Sequence, residues 1–232
     1  ADRRAATGSD TPGGGTVVMI ASFTRKKDHR TFLKAAGIVA ERLPGTRFRL
    51  IGDGPLHSDI ANEIHEIGLS DAVSLAGNVN DIGPVLFDAD VSVLTSLKEG
   101  CSNVILESMA AGCPLVVTDV GGNRELVGDC GCGYLVPVGD ADEIARRVVE
   151  LLSDNDLRAR MGAAGRARVS ERFTIDKMLG DTVDFYLSGL RDRVPGLHEW
   201  ARLSHERGGE RAEDADVALS GDRVQTREPV PE

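Results

Sequence analysis

Ten residues from Lys98 to Glu107 combine a glycine, a helix start and two carboxylates in one short segment. Ser102 is a good N-cap residue, so the sequence predicts a helix whose first free N–H groups belong to residues 103–105. Such N–H groups, together with the positive end of the helix dipole, bind anions without any cationic side chain. Gly100 lets a phosphate approach the backbone closely. The segment therefore predicts an anion site.

Glu99 and Glu107 flank this predicted site. A carboxylate beside a diphosphate cannot hold phosphate, because like charges repel. It can instead accept hydrogen bonds from a vicinal diol, such as the hydroxyl pair of a ribose. Glu107 lies about one turn into the helix and suits that role, whereas Glu99 lies in the loop and could face a second sugar. The spacing alone is equally compatible with two unrelated surface glutamates.

Three consecutive cations, Arg25, Lys26 and Lys27, follow the first apolar run of the chain. Cations in such a loop can bind phosphate oxygens, although a solvated basic turn ahead of a helix has the same sequence. The loop contains no glycine, so the G-x-G-x-x-G fingerprint is absent from the position that it requires. Binding of NAD or FAD in the usual mode is therefore not predicted.

Two further loops are rich in glycine. After the second predicted strand, Gly52 permits close backbone approach, and Asp53 could accept a hydroxyl or cap the next helix. After the fifth predicted strand, residues 119–123 begin a helix and could add backbone donors. Both loops are also typical of ordinary tight turns.

The elements that position these loops alternate between strand and helix. Apolar β-branched runs predict strands, and apolar residues spaced three or four apart predict helices. The predicted strands are 16–23, 47–51, 72–76, 91–95, 114–118 and 134–136. The predicted helices are 28–43, 56–68, 81–88 (interrupted by Pro84), 102–111, 123–127, 141–152, 156–169 and 175–190. This order is typical of an α/β fold with a doubly wound parallel sheet, a Rossmann-like single domain. Because ligands bind beyond the carboxyl ends of such strands, the loops should share one rim.

Composition limits the remaining possibilities. The 232 residues carry a formal net charge of −10, and an acidic chain does not favour nucleic acid as a partner. No apolar run approaches the roughly 18 residues of a membrane span. Residues 1–15 predict a flexible linker, 16–190 a folded domain and 191–232 a disordered acidic tail. Four cysteines without a C-x-x-C pair predict reduced cytosolic thiols.

Several ordered sequence blocks resemble the carboxyl-terminal domain of a retaining GT-B glycosyltransferase of the group 1 family. The blocks are Lys27 before a helix, then IGDGP, GNVNDI, DADVSVLTSLKEGCSNVILESMAAGCPLVVTDVGGNRELV, GYLVPVGDADEIA and LLSDNDLRARMGAAGRARVSERFT. They cover about residues 16–188. Within that context the Glu99-x7-Glu107 pair is a highly specific sign of the resemblance to this family.

The resemblance implies a domain that binds a UDP-, GDP- or ADP-sugar without a metal or another cofactor. It implies that Glu107 binds ribose and that Glu99, the candidate catalytic residue, lies beside the donor sugar and the transferred carbon. The other implied donor-binding residues are Lys27 and Arg25 for phosphate, Gly77 and Asn78 for the base, Gly100, Cys101, Ser102, Asn103 and Val104 for the diphosphate and sugar, and Gly52 and Asp53. The chain departs from the family at Ser22, where an arginine is common, and Arg25 is the candidate substitute.

The resemblance also implies that a GT-B enzyme would need a second domain besides the one in this chain. A GT-B enzyme places its site between two Rossmann-like domains, and the amino-terminal one normally binds the acceptor, a sugar or a lipid-linked molecule. We expect this chain to be the donor half, with the other domain supplied in cis or in trans. A subunit of a two-chain enzyme and a non-catalytic nucleotide-sugar-binding module are the alternatives, and exposed Met178, Val183 and Leu187 on the last helix would favour a missing partner domain.

Five arginines on the penultimate predicted helix bear on location. They are Arg158, Arg160, Arg166, Arg168 and Arg172. Such a group can contact anionic lipid, although a solvated helix face has the same composition. The expected location is the cytoplasm, with peripheral contact at the inner membrane face as a further option.

Overall fold

A computed structural model describes residues 14–190 of the chain. The predicted acidic tail and residues 1–13 of the predicted linker lie outside the described residues. The last two linker residues belong to the fold, since the Gly15 carbonyl accepts a hydrogen bond from Arg47 N at 2.8 Å. The chain divides into two compact units between Thr174 and Ile175, and each is described by itself.

Six parallel strands form one sheet in the first unit. They are β1 (Thr16–Ile20), β2 (Arg47–Ile51), β3 (Val73–Leu75), β4 (Val91–Leu94), β5 (Leu115–Thr118) and β6 (Gly133–Val136). The strand order is β3-β2-β1-β4-β5-β6, and every neighbouring pair is parallel. This order confirms the predicted doubly wound fold. It reverses between β1 and β4, so the ligand crevice is expected where these two strands end.

Seven helices of this unit connect and cover the strands. They are α1 (His29–Arg42), α2 (His57–Glu66), α3 (Gly83–Asp88), α4 (Asn103–Ala111), α5 (Asn123–Val127), α6 (Ala141–Ser153) and α7 (Asn155–Arg172). Met19 of β1 belongs to the larger apolar core with Phe32 of α1, whereas its neighbour Ile20 belongs to a second core with Leu86 of α3. Both faces of the sheet are therefore buried, as the continuous apolar sequence of the strands predicts.

The largest local difference from the prediction follows β1. Residues 25–27, expected in a loop, form a short 3-10 helix. Asp28 then adopts a left-handed conformation with φ of 46° and caps α1, its carboxylate accepting from Thr31 N at 3.3 Å. Aspartate tolerates this conformation better than most residues because its short side chain bonds locally.

Proline does not interrupt the third helix, contrary to the prediction. The helix begins at Gly83, and Pro84 occupies its first turn. A proline there costs no hydrogen bond, because the N–H groups of the first turn have no partner inside the helix. The predicted start at Asp81 was two residues early, since Asp81 Oδ1 instead accepts from Gly83 N at 2.9 Å ahead of the helix.

Glycines let α7 approach α4 closely. A Cβ atom on Gly162 would lie 2.3 Å from the carbonyl oxygen of Gly112. A side chain at this position would therefore push α7 away from the helix that carries the predicted anion site.

A buried ion pair attaches α7 to the amino ends of the central strands. Arg158 Nε lies 3.7 Å from Asp90 Oδ1, and both side chains are about nine-tenths buried. Asp90 Oδ2 also accepts from Thr16 N at 2.8 Å. This cluster lies at the opposite ends of β1 and β4 from the predicted rim.

The prediction of four reduced thiols is wrong for two cysteines. Cys130 and Cys132 form a disulfide between α5 and β6. Gly131, with φ of 67°, provides the tight turn that brings the two sulfur atoms together. Cys101 is exposed and free, and Cys113 is buried with Sγ 3.6 Å from the Ala89 carbonyl.

The second unit contains helix α8 (Ile175–Leu190). Several large apolar side chains of this helix are exposed, namely Ile175, Met178, Leu179, Val183, Phe185 and Tyr186. The side chain of Leu187 lies outside the described part of the structure. None of the described helices has the length and apolar character needed to cross a membrane.

Candidate functional site

The loops after β1 and β4 are bound to each other at the point where the strand order reverses. Leu97 N donates to the Lys26 carbonyl at 2.8 Å. The buried Thr95 hydroxyl lies 2.9 Å from the carbonyl oxygens of both Lys27 and Asp28, to which it donates. The adjacency of β1 and β4 therefore brings together two segments that are about 70 residues apart in sequence.

Lys27 and Glu99 form an ion pair in this crevice. Lys27 Nζ lies 2.5 Å from Glu99 Oε1, and the two side chains are 24% and 11% exposed. The Ser96 hydroxyl donates to the same carboxylate oxygen at 2.6 Å. The ion pair is thus partly shielded from water, and the Glu99 carboxylate is held by two donors.

A cavity of about 760 Å³ opens around this pair. Its lining residues are Ser22, Thr24, Arg25, Lys26, Lys27, Lys98, Glu99 and Gly100. Four of them are cations and one is a carboxylate, although the chain as a whole carries a net charge of −10. The volume falls within the range of small-molecule sites, about 300–1,000 Å³, and the charge favours an anionic ligand.

Among the predicted site residues, Arg25, Lys27, Glu99 and Gly100 line this cavity together. Ser22 lines the same cavity, so Ser22 and Arg25 face one space, and the substitution of Arg25 for the family's arginine stays a prediction. The other predicted site residues are not among the lining residues of this cavity.

Gly100 is exposed, and an added Cβ atom there would meet no atom within 4 Å. Its φ angle is also outside the left-handed region. Neither packing nor backbone conformation therefore explains a glycine at this position. The glycine leaves open space beside the backbone, which is the room that the predicted close approach of a ligand requires.

The glycines of the loop after β5 have a different explanation. A Cβ atom on Gly121 would lie 1.9 Å from the Glu99 carbonyl, and one on Gly122 would lie 2.0 Å from the Gly100 carbonyl. Gly122 N also donates to the Gly100 carbonyl at 3.1 Å. The loop therefore packs directly against the backbone of residues 99–100.

The start of α4 differs in detail from the prediction. Ser102 occupies the N-cap position, but its side chain makes no capping hydrogen bond. Ile105 N donates to the Ser102 carbonyl at 3.1 Å, so the predicted free N–H of Ile105 is already used. Within the described residues, the N–H groups of Asn103 and Val104 have no such partner, and Cys101 beside them is exposed.

Glu107 lies one turn further along α4 and is exposed. Partial desolvation raises the pKa of Glu107 above its ordinary value. Hydroxyl donors of a ligand would favour the charged form and oppose this shift.

The loops after β2 and β3 are joined by a backbone bond from Gly52 N to the Gly77 carbonyl, at 2.8 Å. A Cβ atom on Gly52 would lie 2.1 Å from the Ala21 carbonyl, so packing explains this glycine. Asp53 is exposed and accepts from Gly54 N at 2.7 Å, which is the local turn that the sequence also allowed. Asn78 is exposed on the same rim.

Buried polar residues behind the crevice were missed by the sequence analysis. Thr118 donates from its hydroxyl to the Ser96 carbonyl at 2.6 Å, and Asn123 Nδ2 donates to the Thr118 carbonyl at 3.0 Å. A serine or threonine at a strand end carries no distinctive signal, because it pairs across the sheet with a residue far away in sequence. Lys98, which lines the cavity, was also missed, although its position beside Glu99 could have indicated it.

His29 follows Lys27 by two residues and is buried in a T-shaped contact with the Phe23 ring, with ring centroids 4.9 Å apart. Burial lowers the pKa of His29 to about 4, with the charge of Asp28 raising it and that of Lys27 lowering it to smaller extents. The imidazole is therefore neutral near pH 7 and adds no charge beside Lys27.

The arginines of α7 are only partly available to an outside partner. Arg158 donates to the carbonyls of Leu151 and Leu152, and Arg168 donates to the Glu125 carbonyl. Arg160, Arg166 and Arg172 are exposed. Within residues 14–190, no three histidine, cysteine or acidic side chains lie close enough to hold a metal ion.

Comparison with known proteins places this geometry in a family. The lipopolysaccharide core biosynthesis glycosyltransferase LpsE of Rhizobium meliloti is 35% identical over 185 residues, which are 79% of this chain and 52% of LpsE. The chain spans about half the length of the curated relatives that it matches.

Solved structures show the same fold. The carboxyl-terminal domain of a group 1 glycosyl transferase (LpcC) from Francisella tularensis has a TM-score of 0.64 and 25% identity, covering 69% of this chain and 87% of that domain. HepE of Anabaena in complex with UDP has a TM-score of 0.69 and 25% identity, covering 77% of this chain and 50% of HepE. The sequence profile of the glycosyl transferases group 1 family matches residues 9–168. The chain therefore belongs to the glycosyl transferases group 1 family.

Proposed function

We propose that this chain supplies the donor-binding half of a retaining glycosyltransferase, which transfers a sugar from a nucleoside diphosphate sugar. One observation carries the proposal: a cavity rich in cations opens at the switch point of the sheet, around the Lys27–Glu99 pair and the unobstructed Gly100. The HepE structure contains UDP, which supports a nucleoside diphosphate as part of the ligand.

The diphosphate binds between the 3-10 helix and the start of α4. Lys27 and Arg25 supply positive charge from one side of the crevice, and the N–H groups of Asn103 and Val104 supply donors from the other. Gly100 gives the phosphate room to approach the backbone. These groups neutralise charge on the departing diphosphate, so we assign that role to them rather than to a metal.

Two carboxylates bind the hydroxyl groups of the donor. Glu107 on α4 accepts from the ribose diol, and Glu99 accepts from the donor sugar. Both are unsuited to phosphate because of their charge. The rim around Gly77 and Asn78 receives the base, with Gly52 and Asp53 supporting that rim through the backbone bond to Gly77.

In the reaction, the bond between the anomeric carbon and the phosphate oxygen breaks, and a bond to the acceptor oxygen forms on the same face. The acceptor hydroxyl gives its proton to the departing phosphate. The developing negative charge lies beside Lys27, Arg25 and the amino terminus of α4, which lowers the barrier. Glu99 acts by position and charge beside the oxocarbenium-like carbon.

The acceptor domain is a separate part of the proposed enzyme. The chain spans about half of its curated relatives, and α8 exposes a set of large apolar side chains. A helix that exposes this many large apolar side chains is expected to be covered by another protein surface. We therefore propose a further Rossmann-like domain, in cis or in trans, that binds a sugar or lipid-linked acceptor. We also propose a cytoplasmic location, in which Arg160, Arg166 and Arg172 are available to anionic lipid at the inner membrane face.

Calorimetric titration of UDP, GDP, ADP and their sugar conjugates tests donor binding directly. Glu107→Ala should weaken binding about 5- to 150-fold, the equivalent of about 1–3 kcal/mol for unpaired hydroxyl partners. Lys27→Ala should weaken every diphosphate ligand. Glu41→Ala and Lys34→Ala are matched controls, because both residues are exposed on α1 and neither lines the cavity.

Failure of every nucleotide to bind, or equal losses in the control variants, would contradict the proposed site. Adding an acceptor domain from a relative tests catalysis separately. Sugar transfer that appears only with that domain supports the donor-half assignment, and binding without transfer under all combinations supports a non-catalytic module.

A further inference from the structure

Ser96 is fully buried just after β4, and its hydroxyl contacts Glu99, which lines the cavity. It donates to Glu99 Oε1 at 2.6 Å, the same oxygen that pairs with Lys27. Within residues 14–190, no hydrogen bond engages Glu99 Oε2. The arrangement thus leaves one carboxylate oxygen for a ligand and holds the other.

The backbone around Ser96 is fixed from both sides. Thr95 bonds to the carbonyls of Lys27 and Asp28, and Leu97 N bonds to the Lys26 carbonyl. On the opposite side, the buried Thr118 hydroxyl donates to the Ser96 carbonyl at 2.6 Å. The Ser96 hydroxyl is therefore a rigid donor, unlike the flexible ammonium of Lys27.

The two donors to Glu99 differ in what a bound diphosphate does to them. Lys27 lines the cation-rich cavity, so an entering diphosphate competes with Glu99 for its ammonium group. Ser96 has no exposure to the cavity and keeps its bond. Once the nucleotide is bound, Ser96 is the donor that still fixes the Glu99 carboxylate.

We infer that Ser96 is a positioning residue, which holds Glu99 Oε1 so that Oε2 faces a hydroxyl of the donor sugar. This inference rests on the proposed function and adds a residue and a role to it. It predicts that Ser96 affects the sugar part of the donor and leaves the nucleotide part alone.

Ser92, within β4, provides the matched control. It is equally buried, and its hydroxyl accepts from the Ser108 hydroxyl at 3.0 Å, which is a contact within the core. Ser92→Ala and Ser96→Ala thus each remove one buried hydroxyl, the first within β4 and the second just after it. Only the second removes a bond to a residue of the cavity.

The experiment measures the affinity of each variant for UDP, GDP and ADP and for UDP-glucose, GDP-mannose and ADP-glucose. We expect Ser96→Ala to reduce the ratio of sugar-nucleotide to nucleotide affinity about 3- to 20-fold, with the nucleotide affinity itself unchanged within twofold. Ser92→Ala should leave the ratio unchanged. Ser96→Thr, which keeps the hydroxyl, should restore most of the ratio, and in a Glu99→Ala background Ser96→Ala should have no further effect on it.

An unchanged ratio in Ser96→Ala, an equal loss for nucleotide and sugar nucleotide, or the same loss in the Glu99→Ala background would each overturn the assignment. A crystal structure of Ser96→Ala is the second readout and does not depend on the identity of the sugar: a Glu99 carboxylate that keeps its orientation overturns the role, and a rotated one supports it. If the unmodified chain binds no nucleoside diphosphate, the proposed function fails together with this inference. Normal nucleotide binding with an unchanged ratio rejects Ser96 alone.

Discussion

Gly100 and Gly122 are in contact through one hydrogen bond, but the structure gives them opposite reasons to be glycine. An added Cβ on Gly100 meets no atom within 4 Å, whereas one on Gly122 would lie 2.0 Å from the Gly100 carbonyl. Gly122 has φ of −72° and ψ of −6°, which any residue adopts. Alanine at Gly122 is therefore opposed by packing alone, and alanine at Gly100 is opposed only by a ligand.

The cost of Gly122→Ala can be worked out from these distances. Cβ atoms essentially never approach another atom closer than 3.0 Å, so the two loops must separate by about 1 Å. Overpacking of this kind costs about 1–3 kcal/mol, and the strained bond from Gly122 N to the Gly100 carbonyl adds about 0.5–1.5 kcal/mol. The total of about 1.5–4.5 kcal/mol corresponds to a fall in Tm of roughly 3–18 °C for a domain of this size.

Gly100→Ala should behave in the opposite way. Its backbone conformation accepts alanine, so the free energy of unfolding should stay constant or rise by about 0.4–1 kcal/mol through a less flexible unfolded chain. The methyl group occupies the space that we assign to the phosphate, so nucleotide affinity should fall at least about tenfold, or 1.4 kcal/mol.

Two measurements on both variants test these predictions. Circular dichroism follows thermal unfolding, and calorimetry measures nucleotide affinity. The reasoning fails if Gly100→Ala binds nucleotide normally, because the open space would then have no ligand. It fails equally if Gly122→Ala unfolds at the same temperature as the unmodified chain. A loss of binding in Gly122→Ala is expected too, since displacement of residues 99–100 disturbs the site.

Three further predictions concern stability and covalent structure. Burial lowers the pKa of His29 from 6.5 to about 4, so between these pH values the unfolded chain binds a proton that the folded chain does not. The free energy of unfolding should therefore fall by about 3 kcal/mol as the pH drops from 6.5 to 4. In urea titrations across that range, His29→Leu should lose this part of the pH dependence, and stability–pH curves that run parallel for the variant and the unmodified chain would contradict the prediction. Asp90→Ala removes the carboxylate that forms an ion pair with the buried Arg158. It should lower the free energy of unfolding by about 3–5 kcal/mol, measured by chemical denaturation. A loss below about 1 kcal/mol would mean that the pair contributes no more than an ion pair on the protein surface. The disulfide between Cys130 and Cys132 predicts two reactive thiols in the denatured chain without reductant and four after reduction, counted with a chromogenic thiol reagent; four thiols before reduction would disprove it.

The order of the elements was predictable from sequence because each carries its own local signal. Apolar β-branched runs marked the strands, and α8 was predicted with the bounds that the structure shows. Errors occurred where a residue permits two local solutions. Pro84 suits the first turn of a helix as well as a break in one, and Ser102 occupies the cap position without using its hydroxyl.

The residue types of the site were also predictable, but the contacts that hold them were not. Lys27 and Glu99 were recognised separately, and their ion pair depends on β4 being inserted beside β1. The same insertion places the glycines of the β5 loop beneath Glu99 and Gly100. A sequence that predicts a glycine-rich turn cannot show which distant carbonyl the turn must approach, since that carbonyl is specified by strand order.

Strand order also explains how the rim can be rigid while its side chains vary. Each loop at the carboxyl end of the sheet is joined to the next by a backbone hydrogen bond: Gly52 N to the Gly77 carbonyl, Phe23 N to the Asp53 carbonyl, Leu97 N to the Lys26 carbonyl and Gly122 N to the Gly100 carbonyl. These four bonds connect the loops of β3, β2, β1, β4 and β5 in the order in which the strands lie. Because backbone groups make them, the rim keeps its shape when a side chain changes, as at Ser22, and a neighbouring cation such as Arg25 still faces the same cavity. Cations held on a preorganised rim need little rearrangement when charge develops on a ligand, which is the condition under which electrostatic stabilisation is most effective.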